Sequence, residues 1–296
     1  MEYEELKEKR QKGGRREQDI VLLNCSVMKK MKDIKKVKLF VNHNVKSRQV
    51  EKETREALLE KEFEITESND FDLGIAIGGD GSFLRMVNDS GFKKDAFYVG
   101  INAGTLGFAQ DIPVEEVKEF IEHLKNREFY YEEIGIQDVE VESKEGISHF
   151  QCLNEIVFRE EELNTAHMDV YIDGVLLENF VGDGLLVSTS FGSTAYNLSY
   201  GGSIVYNEFD TLQLTPIAPM SNKTYRSLTN SLVMPSTKTI TLIPEPESSN
   251  MIVMVDGRNS FYTEVKQIRI GIQEHILLIR KKDYNYIRKI NDKFIK

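Results

Sequence analysis

A short apolar run that ends in a glycine-rich turn constrains the fold of this chain more than any other feature. Residues 73–77 (LGIAI) predict a buried strand, and GGDGS follows directly at 78–82. Residues 83–88 then predict the start of a helix. Glycine lets a backbone approach a ligand closely, and the first N–H groups of a helix attract anions. The pattern therefore predicts a phosphate-binding turn with a single carboxylate, Asp80, at its edge.

The carboxylate of Asp80 can take a proton from an alcohol or hold a metal ion. The turn is not the Walker pattern, which requires Lys-Ser or Lys-Thr after the glycines, and it is not the dinucleotide pattern GxGxxG. The alternative at this point is a glycine-rich turn that serves only the tight packing of a strand against a helix.

Composition narrows the class of protein. The chain has 296 residues, of which 40% are hydrophobic and 29% charged, so we expect a globular protein with room for two domains. Its net charge of −10 argues against a nucleic-acid partner. No apolar run approaches the roughly 20 residues that span a bilayer, so we expect no membrane partner.

Cysteine and histidine usage points to a reducing compartment. The N-terminus lacks the apolar core of a signal peptide, and a disulfide between Cys25 and Cys152 is not expected. A cytoplasmic location follows from these observations. The five histidines are scattered without a ligand spacing, so no metal held by the protein itself is expected.

The first half of the chain alternates predicted strands with predicted helices. Strands are expected at 36–42, 73–77 and 96–102, and helices at 50–61, after 83 and at 113–125. Such alternation predicts an α/β domain with a parallel sheet, in which ligands bind beyond the carboxyl ends of the strands. Asp80 and Asn102 both fall at that edge.

The second half consists mostly of short strand-like runs separated by turn residues. We therefore expect a polar arm at 1–35, the α/β domain at 36–130 and a β-rich domain at 131–275. The segment 276–296 predicts a strand and a helix that pack back on the first domain.

A second motif lies in the β-rich half. Residues 182–199 predict a strand, a Ser/Thr/Gly loop and a helix at 193–200, capped by Ser193 or Thr194. Tyr196 would suit stacking on a ring. A capped helix with only a structural role is the alternative.

A polar pair, Asn154 and Glu155, interrupts an apolar strand pattern. Buried polar groups are costly unless they are hydrogen-bonded. The pair could bind a ribose and an adenine edge, or it could form a buried network that closes a strand end. Asp256-Gly257 is a plain turn signal unless the fold brings it to the other motifs.

Taken together and in this order, five segments resemble the NAD kinase family. They are GGDGS at 78–82, NAGTLGF at 102–108, LNE at 153–155, GDGLLVSTSFGSTAYNLSYGGSIV at 182–205 and MVDGR at 254–258. GGDG alone also resembles diacylglycerol and sphingosine kinases and, more distantly, phosphofructokinases. The LNE segment and the long segment at 182–205 are more specific to NAD kinases.

The resemblance implies a two-domain enzyme that transfers the terminal phosphoryl group of ATP, or in some members of polyphosphate, to the adenosine 2′-hydroxyl of NAD, which gives NADP. It implies Mg²⁺ or another divalent cation bound with ATP, and a homodimer or homotetramer with site residues that cross the subunit interface. It implies Asp80 as the general base.

The resemblance also implies the binding residues. NAD contacts are expected from Asp80, Gly81, Arg85, Asn154, Glu155, His167, Asp183, Thr194, Ala195, Tyr196, Ser199 and Arg258. Donor-phosphate contacts are expected from Gly78, Gly79, Gly81 and Ser82.

The chain departs from the family pattern at three positions. Ser82 stands where threonine is usual and keeps the hydroxyl. Val181 stands where many members carry arginine or another polar residue, and Arg258 is the expected substitute for that cation. Phe191 replaces a smaller Thr or Ser, which leaves the preference between NAD and NADH open.

Two other functions remain open on the sequence alone. A lipid kinase of the diacylglycerol type would share GGDG but should lack the LNE and GSTAY segments. A non-catalytic dinucleotide sensor on the same fold would bind NAD or NADP without turnover.

Overall fold

The computed structural model of the chain describes residues 33–104, 107–162 and 164–296. The expected polar arm therefore lies almost wholly outside the described residues. The first part of the chain alternates strands and helices: β1 (Lys36–Val41), α1 (Val45–Glu60), β2 (Glu64–Ile65), β3 (Leu73–Gly78), α2 (Asp80–Asp89), β4 (Phe97–Asn102), β5 (Ile112–Pro113) and α3 (Val117–Lys125).

The strands of this part form a parallel sheet with helices on both faces. The order is β2-β1-β3-β4, and every pairing is parallel. Every residue of β3 is buried, because α1 and α3 pack on one face and α2 packs on the other. The predicted parallel α/β sheet is thus confirmed.

Two helix starts differ from the prediction. Helix α1 begins at Val45, five residues before the apolar pattern suggests, because the side chain of Asn44 caps it by accepting a hydrogen bond from the Ser47 N–H. Helix α2 begins at Asp80 itself. The acidic residue therefore lies in the first turn, where the helix dipole favours a negative charge.

The remainder of the chain is mostly strand. Its elements are β6 (Phe129–Ser143), β7 (Gly146–Cys152), β8 (Glu155–Glu160), β9 (Ala166–Ile172), β10 (Val175–Gly182), β11 (Gly184–Thr189), α4 (Tyr196–Ser199), β12 (Thr211–Ile217), β13 (Leu232–Pro235), β14 (Ile240–Pro244), β15 (Met251–Val255), β16 (Arg258–Tyr262), β17 (Gln267–Lys281) and α5 (Tyr286–Phe294). Short 3₁₀ turns occur at Val114–Glu116, Phe191–Thr194 and Pro246–Ser248.

Two sheets organise the β-rich part. One has six strands in the order β13-β12-β11-β8-β15-β16, all antiparallel. The other contains β10-β9-β14-β17 and continues into the parallel sheet of the first part. Their apolar faces form one core, in which Phe158 and Val187 of the first sheet pack with Val170 and Ile270 of the second.

Strand β17 connects the two parts of the molecule. Its beginning pairs antiparallel with β14, and Leu277 and Leu278 near its end pair parallel with Phe97 and Tyr98 of β4. The chain thus returns to the first sheet before it enters α5. No helix of the described residues combines the length and the apolar character needed to cross a bilayer.

The predicted helix at 193–200 is not continuous. A 3₁₀ turn at Phe191–Thr194 precedes α4, and Ala195 between them has φ −94° and ψ −134°, outside the helical region. The predicted capping by Ser193 or Thr194 is wrong, since α4 has no side-chain cap. The Ser193 hydroxyl instead accepts a hydrogen bond from the Val205 N–H at 3.1 Å.

Candidate active site

The GGDGS turn presents its backbone to open space. A Cβ at Gly78 would lie 2.3 Å from the Ser82 Oγ, so glycine is required where the strand turns into the helix. A Cβ at Gly79 or Gly81 would instead meet nothing within 4 Å. The backbone at Gly79 and Gly81 is therefore open on its outer side, next to the N-terminus of α2, as a phosphate-binding turn requires.

The carboxylate of Asp80 is oriented by the segment that follows β4. Its Oδ2 accepts a hydrogen bond from the Phe108 N–H and its Oδ1 one from the Ala109 N–H, both at 3.0 Å. Asp80 is half-buried. Each carboxylate oxygen can accept a further bond, so Asp80 is fixed in direction and still able to take a proton.

Glycine at position 107 permits this arrangement. A Cβ at Gly107 would lie 2.1 Å from the Asp80 Oδ1. Gln110 further ties the segment to the turn, because its Nε2 donates to the Gly79 carbonyl at 2.9 Å. The sequence identified NAGTLGF only as a motif. The structure shows that its C-terminal end holds the carboxylate of Asp80, in the turn that follows the neighbouring strand β3.

The hydroxyl of Ser82 lies beneath the turn. Ser82 is 6% exposed, and its Oγ accepts a hydrogen bond from the Asn42 Nδ2 at 3.3 Å. In this structure the hydroxyl serves the packing of the turn, and its contact with a donor phosphate stays a prediction.

The start of β8 is fixed from two sides. The Asp256 carboxylate accepts the Leu153 N–H at 3.0 Å and the Asn154 N–H at 2.9 Å. On the other side, Thr189 donates its hydroxyl to the Leu153 carbonyl at 2.5 Å and its N–H to the Asn154 carbonyl at 2.9 Å. The Asp256 turn thus joins the LNE segment in space, which the sequence left open.

Glu155 is buried, and the carboxylate of the half-buried Asp256 lies near enough to act on it electrostatically. Burial, together with the nearby Asp256 charge, raises the pKa of Glu155 to about 8. Burial also raises the pKa of Asp256, while its hydrogen bonds from backbone N–H groups oppose the shift. Glu155 is therefore mostly protonated at neutral pH, and Asp256 is the member of the pair that its backbone donors favour as a carboxylate.

Two polar atoms of the LNE segment have no hydrogen-bond partner in the protein. Within the described residues, the Asn154 Oδ1 and the Glu155 Oε2 are buried without a hydrogen bond. Buried polar atoms are almost always satisfied in folded proteins, so two unsatisfied atoms on adjacent residues indicate a place for hydrogen bonds from a ligand.

The loop around Tyr196 lies next to this pair. A hydrogen bond from the Tyr196 backbone N–H lowers the pKa of Glu155 against the effect of burial. A Cβ at Gly192 would lie 2.0 Å from the Asn154 carbonyl, so the 3₁₀ turn packs directly on the LNE segment. The Tyr196 ring is 39% exposed, and its hydroxyl is 2.7 Å from that of Tyr200. The ring also packs edge-on against the Tyr200 ring, with centroids 4.8 Å apart, and its remaining exposed surface could stack on a planar ligand.

The two halves of the site meet through aromatic packing. The Phe191 ring lies 6.1 Å from the Phe83 ring of α2, and both belong to a core region that also contains Leu153. The bulk that Phe191 adds thus packs the Tyr196 loop against the helix of the GGDGS turn. Within the β-rich part, the structure brings together Asn154, Glu155 and the Tyr196 loop. The contact between Phe191 and Phe83 links this group to α2, the helix that begins at Asp80. Ser199 lies exposed on α4.

Two other predicted site residues, His167 and Arg258, contact side chains outside the LNE segment and the Tyr196 loop. His167 on β9 packs edge-on against Tyr225 with ring centroids 5.7 Å apart, and its Nδ1 is 3.8 Å from Glu245. Arg258 donates to the Asn88 side chain at 2.8 Å. The charge of Arg258 also opposes the rise in the pKa of Asp256, so Arg258 lies near the turn that holds the LNE segment.

Arg85 and Asp183 are exposed. Arg85 lies on α2, and Asp183 lies between β10 and β11 with its N–H donated to the Ile217 carbonyl at 2.9 Å. The charge of Asp183 is one of the causes that raise the pKa of Tyr200, after burial and the Tyr196 hydroxyl. Asp183 is therefore near the tyrosine pair at the rim of the pocket.

An open glycine-rich turn with an oriented carboxylate, followed in the chain by a β-rich part with unsatisfied buried polar atoms, is compatible with the class of two-domain kinases that act on small molecules. Residues 9–129 match the ATP-NAD kinase N-terminal domain and residues 153–273 match the ATP-NAD kinase C-terminal domain. The NAD kinase of Finegoldia magna is 38% identical over 274 residues, which cover 88% of this chain and 97% of that protein. The chain therefore belongs to the ATP-NAD kinase family.

Further relatives agree with this assignment. NAD kinase 2 of Bacillus licheniformis is 32% identical over 230 residues, which cover 77% of this chain and 85% of that protein. Two solved structures share the fold. Yeast NADH kinase complexed with NADH has a TM-score of 0.79 at 21% identity and covers 88% of each chain. The NAD kinase from Archaeoglobus fulgidus in complex with ATP has a TM-score of 0.66 at 24% identity. The match covers 86% of this chain and 98% of that chain. The predicted two-domain fold and family are confirmed.

Proposed function

We propose that this chain transfers the terminal phosphoryl group of ATP to the adenosine 2′-hydroxyl of NAD and so makes NADP. Membership of the ATP-NAD kinase family supports the reaction, and one structural observation supports its mechanism. The Asp80 carboxylate is oriented by two backbone N–H groups beside an open glycine turn. The lipid-kinase and sensor alternatives are not supported, because both domains of the ATP-NAD kinase family match.

Asp80 is the proposed general base. As the 2′-hydroxyl oxygen forms its bond to the terminal phosphorus, the bond from that phosphorus to the bridging oxygen of ADP breaks. The proton of the hydroxyl passes to Asp80. General-base assistance of this kind contributes about 10²- to 10⁴-fold, and positioning of the two substrates supplies much of the rest.

The donor phosphates are proposed to bind at the turn of residues 78–82, whose backbone is open at Gly79 and Gly81. The N-terminus of α2 favours their negative charge. Mg²⁺ or another divalent cation is proposed to arrive with ATP and to be held mainly by the phosphate oxygens, where it neutralises charge. Among the described residues, no group of three or more His, Cys, Asp or Glu side chains is placed to hold a cation. This is compatible with a cation bound by the donor. Polyphosphate remains a second candidate donor.

NAD is proposed to occupy the pocket of Asn154, Glu155 and the Thr194–Tyr196 segment. The unsatisfied Asn154 Oδ1 and the protonated Glu155 offer one acceptor and one donor to the adenosine. Gly81, Arg85, Asp183 and Ser199 complete the proposed contacts within the chain. Arg258, which bonds to Asn88 of α2 and lies near Asp256, is proposed to contact NAD within its own chain. His167 is proposed to contribute to the site of a partner subunit in a homodimer or homotetramer. The proposed location is the cytoplasm, where buried Cys152 stays reduced.

An NADP-formation assay tests the proposal. Purified protein is incubated with NAD, ATP and Mg²⁺, and NADP is detected with an NADP-specific dehydrogenase, with polyphosphate and NADH in parallel wells. NADP formation that depends on the cation supports the proposal and ranks the donors and acceptors. Binding of NAD without turnover from any donor would overturn it in favour of the sensor.

A further inference from the structure

A buried charge cluster lies on the far side of the segment that orients Asp80. Its members are Asp111, Arg280 and Lys289, whose side chains are 3%, 2% and 7% exposed. Arg280 comes from the end of β17 and Lys289 from α5, so the C-terminal part of the chain supplies both cations. The proposed mechanism gives none of these three residues a role.

Both cations contact one backbone carbonyl. The Arg280 Nη1 donates to the Phe108 carbonyl at 3.1 Å, and the Lys289 Nζ donates to the same oxygen at 2.9 Å. Each cation also forms an ion pair with Asp111. Arg280 is held further by the Glu132 carboxylate at 2.9 Å, and the Tyr284 ring centroid lies 4.3 Å from its guanidinium carbon.

The Phe108 carbonyl and the Ala109 N–H belong to the same peptide group. The oxygen of this peptide faces the two cations, and its N–H donates to the Asp80 Oδ1 at 3.0 Å. Burial lowers the pKa of Lys289 to about 7, whereas the Arg280 guanidinium stays charged. The positive charge of Arg280 at the oxygen polarises the peptide and strengthens the hydrogen bond that its N–H donates. One rigid peptide therefore connects the cations to the carboxylate of the proposed base.

Stability alone does not require such a cluster. Desolvation costs several kcal/mol per buried ion, and well-packed apolar side chains are often as stabilising as a buried ion pair. Apolar side chains could fill this volume, but they could not hold a peptide oxygen in one direction. The presence of charged side chains here is therefore better explained by their hydrogen bonds to the Phe108 carbonyl, which orient the segment that binds Asp80.

We propose that Lys289 and Arg280 are positioning residues, which fix the Phe108–Ala109 peptide and through it the carboxylate of Asp80. This inference rests on the proposed function, since it gives Asp80 its catalytic role. In this proposal the C-terminal elements β17 and α5 supply the side chains that hold the Asp80-binding segment of the first domain in place.

The test compares Lys289→Met and Lys289→Gln with Arg288→Met, which removes an exposed cation from the neighbouring position of α5. All are assayed at a temperature where circular dichroism shows them to be folded. We expect both Lys289 variants to lower kcat by about tenfold to a hundredfold with a KM for NAD within about twofold of the wild type, because the reacting group and not the binding pocket is disturbed. Arg288→Met should leave both constants near the wild-type values, and Arg280→Lys, which keeps the charge, should retain more activity than Arg280→Met.

A double-mutant cycle separates positioning from general destabilisation. If Lys289 acts through Asp80, then Lys289→Met should cause little further loss of kcat in an Asp80→Asn background. An equal loss in both backgrounds, or an unchanged kcat in folded Lys289→Met, would overturn the inference. A wild-type protein that makes no NADP would contradict the proposed function instead, so the two failures are distinguishable.

Discussion

At the scale of single residues, the Asp80 carboxylate is held in one orientation and is still accessible to a substrate. Both carboxylate oxygens accept backbone N–H groups, yet the residue is half-buried and the neighbouring Gly79 and Gly81 border open space. A base for a sugar hydroxyl needs both properties, because the hydroxyl must reach the carboxylate and the carboxylate must point at it.

The Asp80→Asn variant tests the role of this carboxylate. We expect kcat to fall by at least ~10² while the dissociation constant for NAD stays within about twofold, because the amide cannot take the proton. Asp89→Asn, at the exposed end of the same helix, is the matched control. Steady-state kinetics and calorimetric NAD binding measure the two quantities, and near wild-type turnover in Asp80→Asn would remove Asp80 from the mechanism.

Glu155 makes the stability of the protein depend on pH. Its pKa is about 8 in the folded protein against a usual value of 4.5. Above pH 4.5 the unfolded chain loses this proton while the folded protein keeps it, so the free energy of unfolding falls as the pH rises and levels off above about 8. The slope from one such group approaches about 1.4 kcal/mol per pH unit.

The Glu155→Gln variant should remove this dependence. We expect its free energy of unfolding to exceed that of the wild type by a growing margin from pH 5 to pH 8, as measured by urea denaturation. Glu161→Gln, an exposed neighbour, is the control. A constant difference between Glu155→Gln and the wild type across that range would show that Glu155 is ionised in the folded protein.

At the scale of elements, the glycine-rich turn could be predicted, but its partner could not. The strand, the turn and the start of α2 follow from local apolar pattern and glycine content. The bond between Asp80 and the Phe108 segment joins residues 28 positions apart, and backbone N–H groups carry no sequence signal. The broken helix at Ala195 was missed for a related reason, since a tertiary contact to the Val205 N–H takes the Ser193 hydroxyl that would cap a regular helix.

The Gly107→Ala variant tests the close approach of the two segments. An added Cβ would lie 2.1 Å from the Asp80 Oδ1, so either the carboxylate or the segment must move. We expect kcat to fall at least about tenfold, since misplacement of a reacting group by about 1 Å can cost about 10². Gly104→Ala, where an added Cβ meets nothing within 4 Å, is the control from the same motif. Equal kcat values for the two variants would mean that the segment can shift without disturbing Asp80.

At the scale of the whole molecule, the fold class was predictable and the C-terminal return was only an expectation. Alternation of strands and helices identifies the first sheet, but the pairing of Leu277 with Phe97 joins distant parts of the chain. Arg280 and Lys289 gave no signal either, because charges spaced along a strand end and a short helix resemble a solvated face. Their burial is a consequence of where β17 and α5 pack.

The arrangement of His167 bears on assembly. Its side chain contacts Tyr225 and Glu245, and we propose that its NAD contact is made in the site of a partner subunit. We expect Asp80→Asn and His167→Ala proteins each to have low activity at limiting NAD. If the enzyme is a dimer, subunit mixing should restore about a quarter of wild-type activity. About half of the dimers then contain one chain of each variant, and one of the two sites in each mixed dimer has both residues intact.

Light scattering after size-exclusion chromatography would establish the oligomer, and two affinity tags would confirm that mixed oligomers form. Asp80→Asn mixed with Tyr196→Ala is the matched control, since both residues belong to the same chain's pocket. In that mixture, every site inherits at least one substitution and activity should stay low. If mixed oligomers of Asp80→Asn and His167→Ala regain no activity, His167 lies outside the site of either subunit. Recovery in both mixtures would instead mean that the pocket described within one chain is itself divided between subunits.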